Sequence, residues 1–302
     1  LHESISALHS SAGDLSIQII IVDNASTDGS AQLIKTDFPE CRLIENNVNV
    51  GFGRANNQAL DFTNGRYVLL LNTDAFVSPD TVTKTIAYMD ANPGCGVLGT
   101  RLIGRDGEIQ PSARYFPTPW TLFLKRTGLH RLPLFRKTRL VDDPQWDHRS
   151  IRPCDWVPGC YYLIRKEVIN QVGLFDTRYF LYCEEVDHCM AVKKAGWTVA
   201  CLPETTVVHI GGESAKSDSA ITKNGRQIEA LKIESELLFF RKNYGLPAIY
   251  AYVFLAALAD AINFFKCLLR RSPAAVTLSH AKHTAFILSR LRATQWGVQS
   301  TR

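Results

Sequence analysis

Three acidic segments stand at fixed places in this chain: Asp23-Asn24-Ala25-Ser26-Thr27-Asp28-Gly29-Ser30, Asn72-Thr73-Asp74 and Glu184-Glu185-Val186-Asp187. The first two follow hydrophobic runs that read as buried strands. Their carboxylates therefore belong at strand ends, where open α/β sheets bind ligands. Carboxylates gathered there suit a divalent metal and a nucleotide. The third group, which anchors no phosphate, suits a general base. Together they point to transfer of a group, most naturally a sugar, from a nucleotide-activated donor.

Asn72 and Asp74 are two residues apart, so they leave a strand on one face and can address one ion or ribose. Magnesium and manganese take oxygen ligands, commonly one or two carboxylates plus the substrate's phosphates. His209 follows the strand-like Thr205-Thr206-Val207-Val208 and precedes Gly211-Gly212, which makes it a candidate further ligand. Asp23 and Asn24 can accept from and donate to a base edge or ribose hydroxyls. In Asn47-Val48-Asn49-Val50-Gly51-Phe52-Gly53-Arg54-Ala55-Asn56-Asn57 the glycines let backbone approach a ligand, and helix-starting amides with Arg54 favour a phosphate. At Glu184–Asp187 a helix N-terminus favours negative charge while crowding disfavours it, and a carboxylate held between those effects can take a proton from an acceptor hydroxyl. Each feature alone also fits an ordinary role: a capping turn, a surface turn before Pro79, a structural histidine, an acidic first turn. Trp156 and Tyr182 suit either a sugar face or the core.

The elements that must position these groups alternate. Ile17–Val22 is a β-branched run that reads as a strand buried on both faces, and Asp28 or Ser30 caps a helix to about Thr36. Cys41–Glu45 reads as a strand, Arg54–Phe62 as a helix and Arg66–Leu71 as a strand. Pro79 opens a helix to about Asp90, ended by Asn92-Pro93-Gly94, and Cys95–Gly99 is a further short strand. This alternation predicts a parallel sheet with crossover helices. Leu102–Ile109 reads as a hairpin around Asp106-Gly107. Residues 111–153, with nine basic groups against Asp142, Asp143 and Asp147, have no period and read as an irregular, movable insertion over the active face. Trp156–Arg165 is predicted as a strand, the helix after Glu184 as ending at Gly196, and Thr198–Leu202 as the last strand.

Composition, 46% apolar and 21% charged over 302 residues, is that of an ordinary globular protein. Eight cysteines without CxxC pairs favour reduced, buried thiols over zinc or disulfides. The opening residues lack the pattern of a secretory leader. Residues 241–302 hold nine Lys/Arg and one acid, Asp260, against 25 basic and 28 acidic groups in the rest. A near-neutral body with a basic, apolar tail argues against a nucleic-acid binder and for contact with an anionic membrane surface. In Tyr250–Leu269, Asp260, Asn263 and Lys266 interrupt an apolar window on one side of a helix. That pattern predicts an interfacial amphipathic helix, ahead of a helix packed on the body or a true span.

Taken in order, these motifs resemble the inverting glycosyltransferases of family 2, with the nucleotide-sugar-binding GT-A fold, and especially the bacterial rhamnosyltransferase-like members. The family's D-N-x-S-x-D-G-S segment matches through Ser30, its N-x-N-x-G-F-(G/A)-x-A-N-N loop matches Asn47–Asn57, and its L-L-N-P-D-A-x-(V/L) segment matches Leu70–Val77 with Thr73 in place of proline. Its D-W-V-x-G-A-x-x-L-I-R strand matches Asp155–Arg165, and its G-x-F-D-x-x-(F/Y)-F-x-Y-x-E-D-x-D-L segment matches Gly173–His188. The resemblance covers about residues 1–245. It implies an α/β, Rossmann-like mixed sheet flanked by helices over residues 1–240, with a basic helical tail over 241–302. It further implies that Asp23 and Asn24 contact the donor's base and ribose, that Asn49, Gly51 and Asn56 line that pocket, and that Asp74 holds Mn2+ or Mg2+ with His209 as second ligand. Glu185 stands where the family has the Asp of its Glu-Asp pair, the catalytic base. The added methylene leaves Glu184 and Asp187 open for the role.

Family members open with a strand of the V-S-V-I-I-V-x-Y-N type, whereas this sequence begins within the following helix, at Leu1-His2-Glu3-Ser4-Ile5-Ser6-Ala7-Leu8. The expectation is a fragment, or else a degenerate, inactive protein. The leading reading is a metal-dependent transferase moving rhamnose or another sugar to a glycan or lipid-linked acceptor at the cytoplasmic face of the plasma membrane. A nucleotidyltransferase and a non-catalytic membrane-associated scaffold with a decayed donor site are the alternatives.

Overall fold

The computed structural model describes residues 1–142, 146–211 and 226–302, which divide into two compact units. The first comprises residues 1–114 and 146–211, the second residues 115–142 and 226–302. In chain order the first begins α1 (His2–Ala12), β1 (Ile20–Asp23), α2 (Ser30–Asp37), β2 (Arg42–Glu45), α3 (Phe52–Ala59), β3 (Tyr67–Leu71), β4 (Ala75–Val77), α4 (Thr81–Ala91), β5 (Cys95–Ile103) and β6 (Ile109–Gln110). The second unit contributes α5 (Pro119–Thr127). The first resumes with β7 (Arg152–Cys154), β8 (Tyr161–Arg165), α6 (Lys166–Val172), α7 (Glu184–Lys194) and β9 (Thr198–His209). The second ends with α8 (Arg226–Leu269) and α9 (Ala274–Ala293).

The main sheet has seven strands in the order β3-β8-β5-β9-β4, with β6 beside β5 and β7 beside β9. It is mixed rather than parallel: β5 and β9 run parallel, and the other pairs are antiparallel. A parallel pair needs a long crossover, and the whole stretch from the end of β5 to the start of β9, including β8, α6 and α7, provides one. The tight Asn72–Asp74 turn between β3 and β4 provides none. The core of this sheet gathers Ala75, Met89, Leu98, Tyr161, Leu163 and Val207, all nearly inaccessible. Among the described residues β1 pairs only with β2, in parallel.

Several boundaries differ from expectation. β1 starts at Ile20 and is half-buried rather than buried on both faces, because only one of its edges is paired. Gly29, not Asp28 or Ser30, is the N-cap of α2, in the left-handed region at φ 86°. The Asp28 carboxylate instead accepts the Ser30 N–H at 3.0 Å, and hydrogen bonding from the Ser30 side chain, then from that N–H, lowers its pKa. Pro79 lies outside α4, whose N-cap is Asp80. β5 and β9 are longer than predicted, and β9 absorbs Thr205–Val208 across a register shift. Trp156 precedes β8 in a loop bridged to Arg114.

Part of the 111–153 stretch is helical. Thr118 and Thr121 form a reciprocal capping box with Pro119 in the first turn of α5. Asp143 lies outside the described residues, as does Gly212. α8 breaks at Gly245 (φ 78°), with Pro247 just beyond. Its polar stripe is turned inward within the helical unit. The Asp260 carboxylate accepts from Arg126 Nε at 3.0 Å and from Thr284 Oγ1 at 2.6 Å, and lies 2.9 Å from His283 Nδ1. Asn263 and Lys266 donate to the Arg126 and Thr127 carbonyls at the end of α5. Burial pushes the Asp260 pKa up, but the bonds from His283 and Thr284 and the Arg126 charge outweigh it and hold the carboxyl below its ordinary value.

Because Arg126 keeps a third of its side chain exposed, Asp260→Ala is expected to cost about 2–3 kcal/mol, somewhat less than a fully buried pair. Faster amide exchange along α8 and α9 would report it. With its folded pKa lowered, Asp260 stabilises the unit above the unfolded carboxyl pKa of about 3.9, and that contribution disappears as pH falls through the folded value.

Candidate active site

The ends of β1 and β2 and the start of α3 are tied together by asparagines. Asn24 Nδ2 donates to Asn49 Oδ1 at 2.8 Å, and Asn24 Oδ1 accepts the Val50 N–H at 2.9 Å. Asn46, which sequence reading passed over, donates to Asn24 Oδ1 and exchanges two 2.9 Å bonds with Gln58. Asn49 Oδ1 also accepts the Gly51 N–H. Asn24 and Asn49 thus hold the loop in shape, while buried Asp23 accepts the Ser26 N–H at 3.2 Å. Asn56 bonds to its own helix at Phe52 O, and Arg54 Nε donates to Thr177 O at 2.8 Å.

Gly51 sits at φ 88°, and a Cβ there would collide with the Phe180 carbonyl oxygen, which also accepts the Phe52 N–H at 2.9 Å. Two residues on, Gly53 packs against Phe175, and its missing Cβ would lie 3.8 Å from Glu184 Cβ. The loop after β2 and the approach to α7 are therefore in backbone contact, which brings the first and third acidic segments together.

The turn after β3 delivers Asp74 to the edge of β4, beside the end of β9. Ala75 pairs with His209, and Asp74 O accepts the Ile210 N–H. Asp74 is 7% exposed, and its Oδ1 is a buried acceptor with no hydrogen-bond partner. That atom lies 3.6 Å from His209 Nε2, too far for a hydrogen bond but a separation that two ligands of one ion can take. Gln110 Oε1 lies 3.3 Å from His209 Nδ1, and its Nε2 donates to His209 O. A proton on Nδ1 leaves Nε2 free to ligate. The orphaned acceptor and oriented imidazole fit a divalent cation. No cluster of three or more His, Cys, Asp or Glu able to hold a metal occurs among the described residues. Asn72 is half-buried and its N–H bonds to Cys160 O.

α7 begins behind two successive left-handed residues, Tyr182 (φ 75°) and Cys183 (φ 66°), and its first turn holds Glu184, Glu185 and Asp187. Residues held there outside glycine store strain of about 1–3 kcal/mol each, typical of functional sites. Glu184 is 3% exposed, and Glu184 and Glu185 each have a buried Oε2 without a hydrogen-bond partner. Burial pushes both carboxyls above the ordinary range. The Glu185 charge adds to the effect on Glu184, whereas its own N–H, Arg114 and the Gly159 N–H moderate the shift at Glu185. Asp187 is buried beside Tyr179, whose hydroxyl pKa is raised by burial first and then by that charge. Trp156 is 6% exposed and lies in the core with the Arg114 guanidinium 4.5 Å from its ring centroid. Cys160 accepts the Asn72 N–H at its carbonyl and has a buried side chain. Its thiol is pushed up to about 12 by burial, with the charges of Asp74 and Glu185 adding to the rise. Neither Arg114 nor Cys160 carried any signal in the sequence beyond its neighbourhood to the motifs.

Comparison with known proteins bears on the family and the fold. The family model described as "Glycosyl transferase family 2" matches residues 1–150. The chain is similar to an N-acetylglucosaminyl-diphospho-decaprenol L-rhamnosyltransferase of Mycobacterium tuberculosis, at 30% identity over 68% of this chain and 70% of that protein. It is also similar to rhamnosyltransferase WbbL of Escherichia coli, at 25% identity over 55% and 63%. Among solved structures, a mannosyltransferase from Pyrobaculum calidifontis in complex with GDP-Man and Mn2+ has the same fold. It superposes with a TM-score of 0.54 at 14% identity, over 99% of this chain and 84% of that one. The fold is GT-A, and the chain belongs to glycosyltransferase family 2, whose members transfer glycosyl groups from nucleotide-sugars.

Proposed function

We propose that this chain is an inverting, divalent-metal-dependent transferase that moves a deoxyhexose, rhamnose from dTDP-rhamnose, onto a glycan or lipid-linked acceptor in cell-surface polysaccharide synthesis. The observation that carries this reading is the unpartnered Asp74 Oδ1 lying 3.6 Å from His209 Nε2, an arrangement suited to an ion, in a chain whose α7 starts with Glu184 and Glu185, each keeping a buried, unpartnered carboxylate oxygen. The L-rhamnosyl group and the N-acetylglucosaminyl-diphospho-decaprenol in the mycobacterial relative's name support the sugar and acceptor class. In this reading residues 1–240 are catalytic and 241–302 form a tail that keeps the enzyme on the cytoplasmic face of the plasma membrane.

Asp74 and His209 would hold Mn2+ or Mg2+ together with the donor diphosphate, and a bound ion would offset charge developing on that leaving group. Asp23 and Asn24 address the base and ribose from a loop already fixed by their own hydrogen bonds. Asn49, Gly51 and Asn56 line the pocket, Arg54 and Asn72 face phosphate and ribose, and Trp156 supports the floor from beneath. Glu185 takes the proton of the acceptor hydroxyl. That oxygen bonds to the anomeric carbon as the bond to the diphosphate oxygen breaks, and the electron pair leaves with the diphosphate, inverting the centre. Glu184 and Asp187 are the other carboxylates of the turn able to serve.

Asp74→Asn is expected to abolish manganese-dependent binding in calorimetric titrations with dTDP, UDP and GDP, and EDTA should do the same to the unaltered chain. Nucleotide binding indifferent to both would remove the metal from the mechanism. Glu185→Gln is expected to retain donor binding and lose about 10²–10⁴-fold in kcat. Full turnover of that variant would move the base to Glu184 or Asp187. Because burial raises the carboxyls and the base works ionised, kcat/KM should rise with pH through a midpoint above the usual carboxylate range. A flat profile across that range would contradict a buried carboxylate base.

A further inference from the structure

The second half of α8 is built with its polarity reversed. Asp260, Asn263 and Lys266 point inward to α5 and α9, as described above. At about 100° per residue, Tyr250, Phe254, Leu258, Phe265, Leu268 and Leu269 fall in one stripe roughly 100° wide on the opposite side. These six large side chains are 59%, 67%, 39%, 62%, 52% and 86% exposed. A helix folded for water alone turns such a stripe into its core, and an exposed contiguous apolar patch of this kind marks an interaction surface.

What meets the stripe is indicated by its borders. Arg270 and Arg271 follow its C-terminal end directly. At the other end the rings of Tyr250 and Trp296 lie 5.7 Å apart, and both side chains are exposed. Residues 241–302 carry nine Lys/Arg and one acid, and that acid, Asp260, is buried against Arg126, so every formally charged side chain at the surface of this segment is cationic. Two copies packed stripe to stripe would bring like charges together, whereas an anionic surface complements them. The stripe spans about 20 residues, or roughly 30 Å lying flat.

We propose that this stripe is a docking face for an anionic lipid bilayer. Phe254, Leu258 and Phe265 sit at the boundary between headgroups and acyl chains, Tyr250 and Trp296 lie at the interface as amphipathic rings, and Arg270 and Arg271 rest on lipid phosphates. The inward Asp260 cluster sets the rotation of the helix that presents the stripe. This deepens the membrane placement in the proposed function and rests on it.

The test is flotation of the full chain with phosphatidylglycerol-containing vesicles and with pure phosphatidylcholine vesicles, at low and high salt. The expected result is flotation with the anionic vesicles, weakened by salt. It should be lost in Phe254→Glu/Phe265→Glu and reduced in Arg270→Glu/Arg271→Glu, with circular dichroism unchanged because these side chains are at the surface. Failure of the unaltered chain to float, or equal flotation of the phenylalanine variant, would overturn the proposal. So would a concentration-dependent dimer in sedimentation that the same variant dissolves without any lipid binding. Sugar transfer to a water-soluble acceptor analogue, measured on the same samples, separates the two readings: transfer without flotation removes only the docking face, and flotation without transfer removes only the catalytic assignment.

Discussion

The arrangement of the catalytic unit depends on one close approach of backbone to backbone, where Gly51 meets the carbonyl of Phe180 and Phe52 donates to it. No side chain fits in that space, and any residue but glycine would also resist the φ of 88°. The contact joins a loop fixed by Asn24, Asn46 and Asn49 to the approach of α7. It thereby sets the distance between the segment read as a nucleotide site and the acidic helix start. The strained Tyr182 and Cys183 lie immediately beyond, so the strain is held by packing on both sides.

Buried carboxylates fare differently in the two units. In the helical unit Asp260 is satisfied by an arginine, a histidine and a threonine, and its burial is offset by hydrogen bonds. In the sheet unit Asp74, Glu184 and Glu185 each keep a buried oxygen without a protein partner. A buried acceptor left unmatched costs about 1–3 kcal/mol, more when charged. Such a cost persists in folded proteins where a ligand, ion or proton will complete the set, so these oxygens mark a candidate site, whereas the satisfied Asp260 cluster is scaffold.

Much of this was legible in the sequence because the motifs are local. The β-branched runs, the glycine at position 51 and the acidic turn at 184–187 depend on neighbours a few residues away. The family resemblance rested on the same segments, and the GT-A fold followed from it. Other features were not legible because they depend on distant partners. Asn24 reads as a ligand contact, but its second task, tying the loop to Asn49 and Val50 more than twenty positions away, leaves no local trace. The mixed direction of the sheet depends on which connections are long enough to cross over, and β8 arrives only after the second unit's α5. The stripe at Asp260, Asn263 and Lys266 showed that α8 has two faces. Periodicity cannot say which face turns inward when the surrounding helices offer Arg126 and His283 to receive it.

The cysteines give the molecule a chemical handle that its fold did not require. Six of the eight are buried, and burial raises the thiols of Cys95, Cys154, Cys160, Cys189 and Cys201 far from the reactive range. Cys183 and Cys267 alone are partly accessible. One caps the acidic helix of the catalytic unit, and the other stands two residues before the end of the apolar stripe in the helical unit. The chain therefore carries a natural pair of attachment points, one per unit, for fluorophores or spin labels. A reporter on Cys183 would sense the turn that holds the carboxylates, and one on Cys267 would sense whether its surroundings are water or lipid.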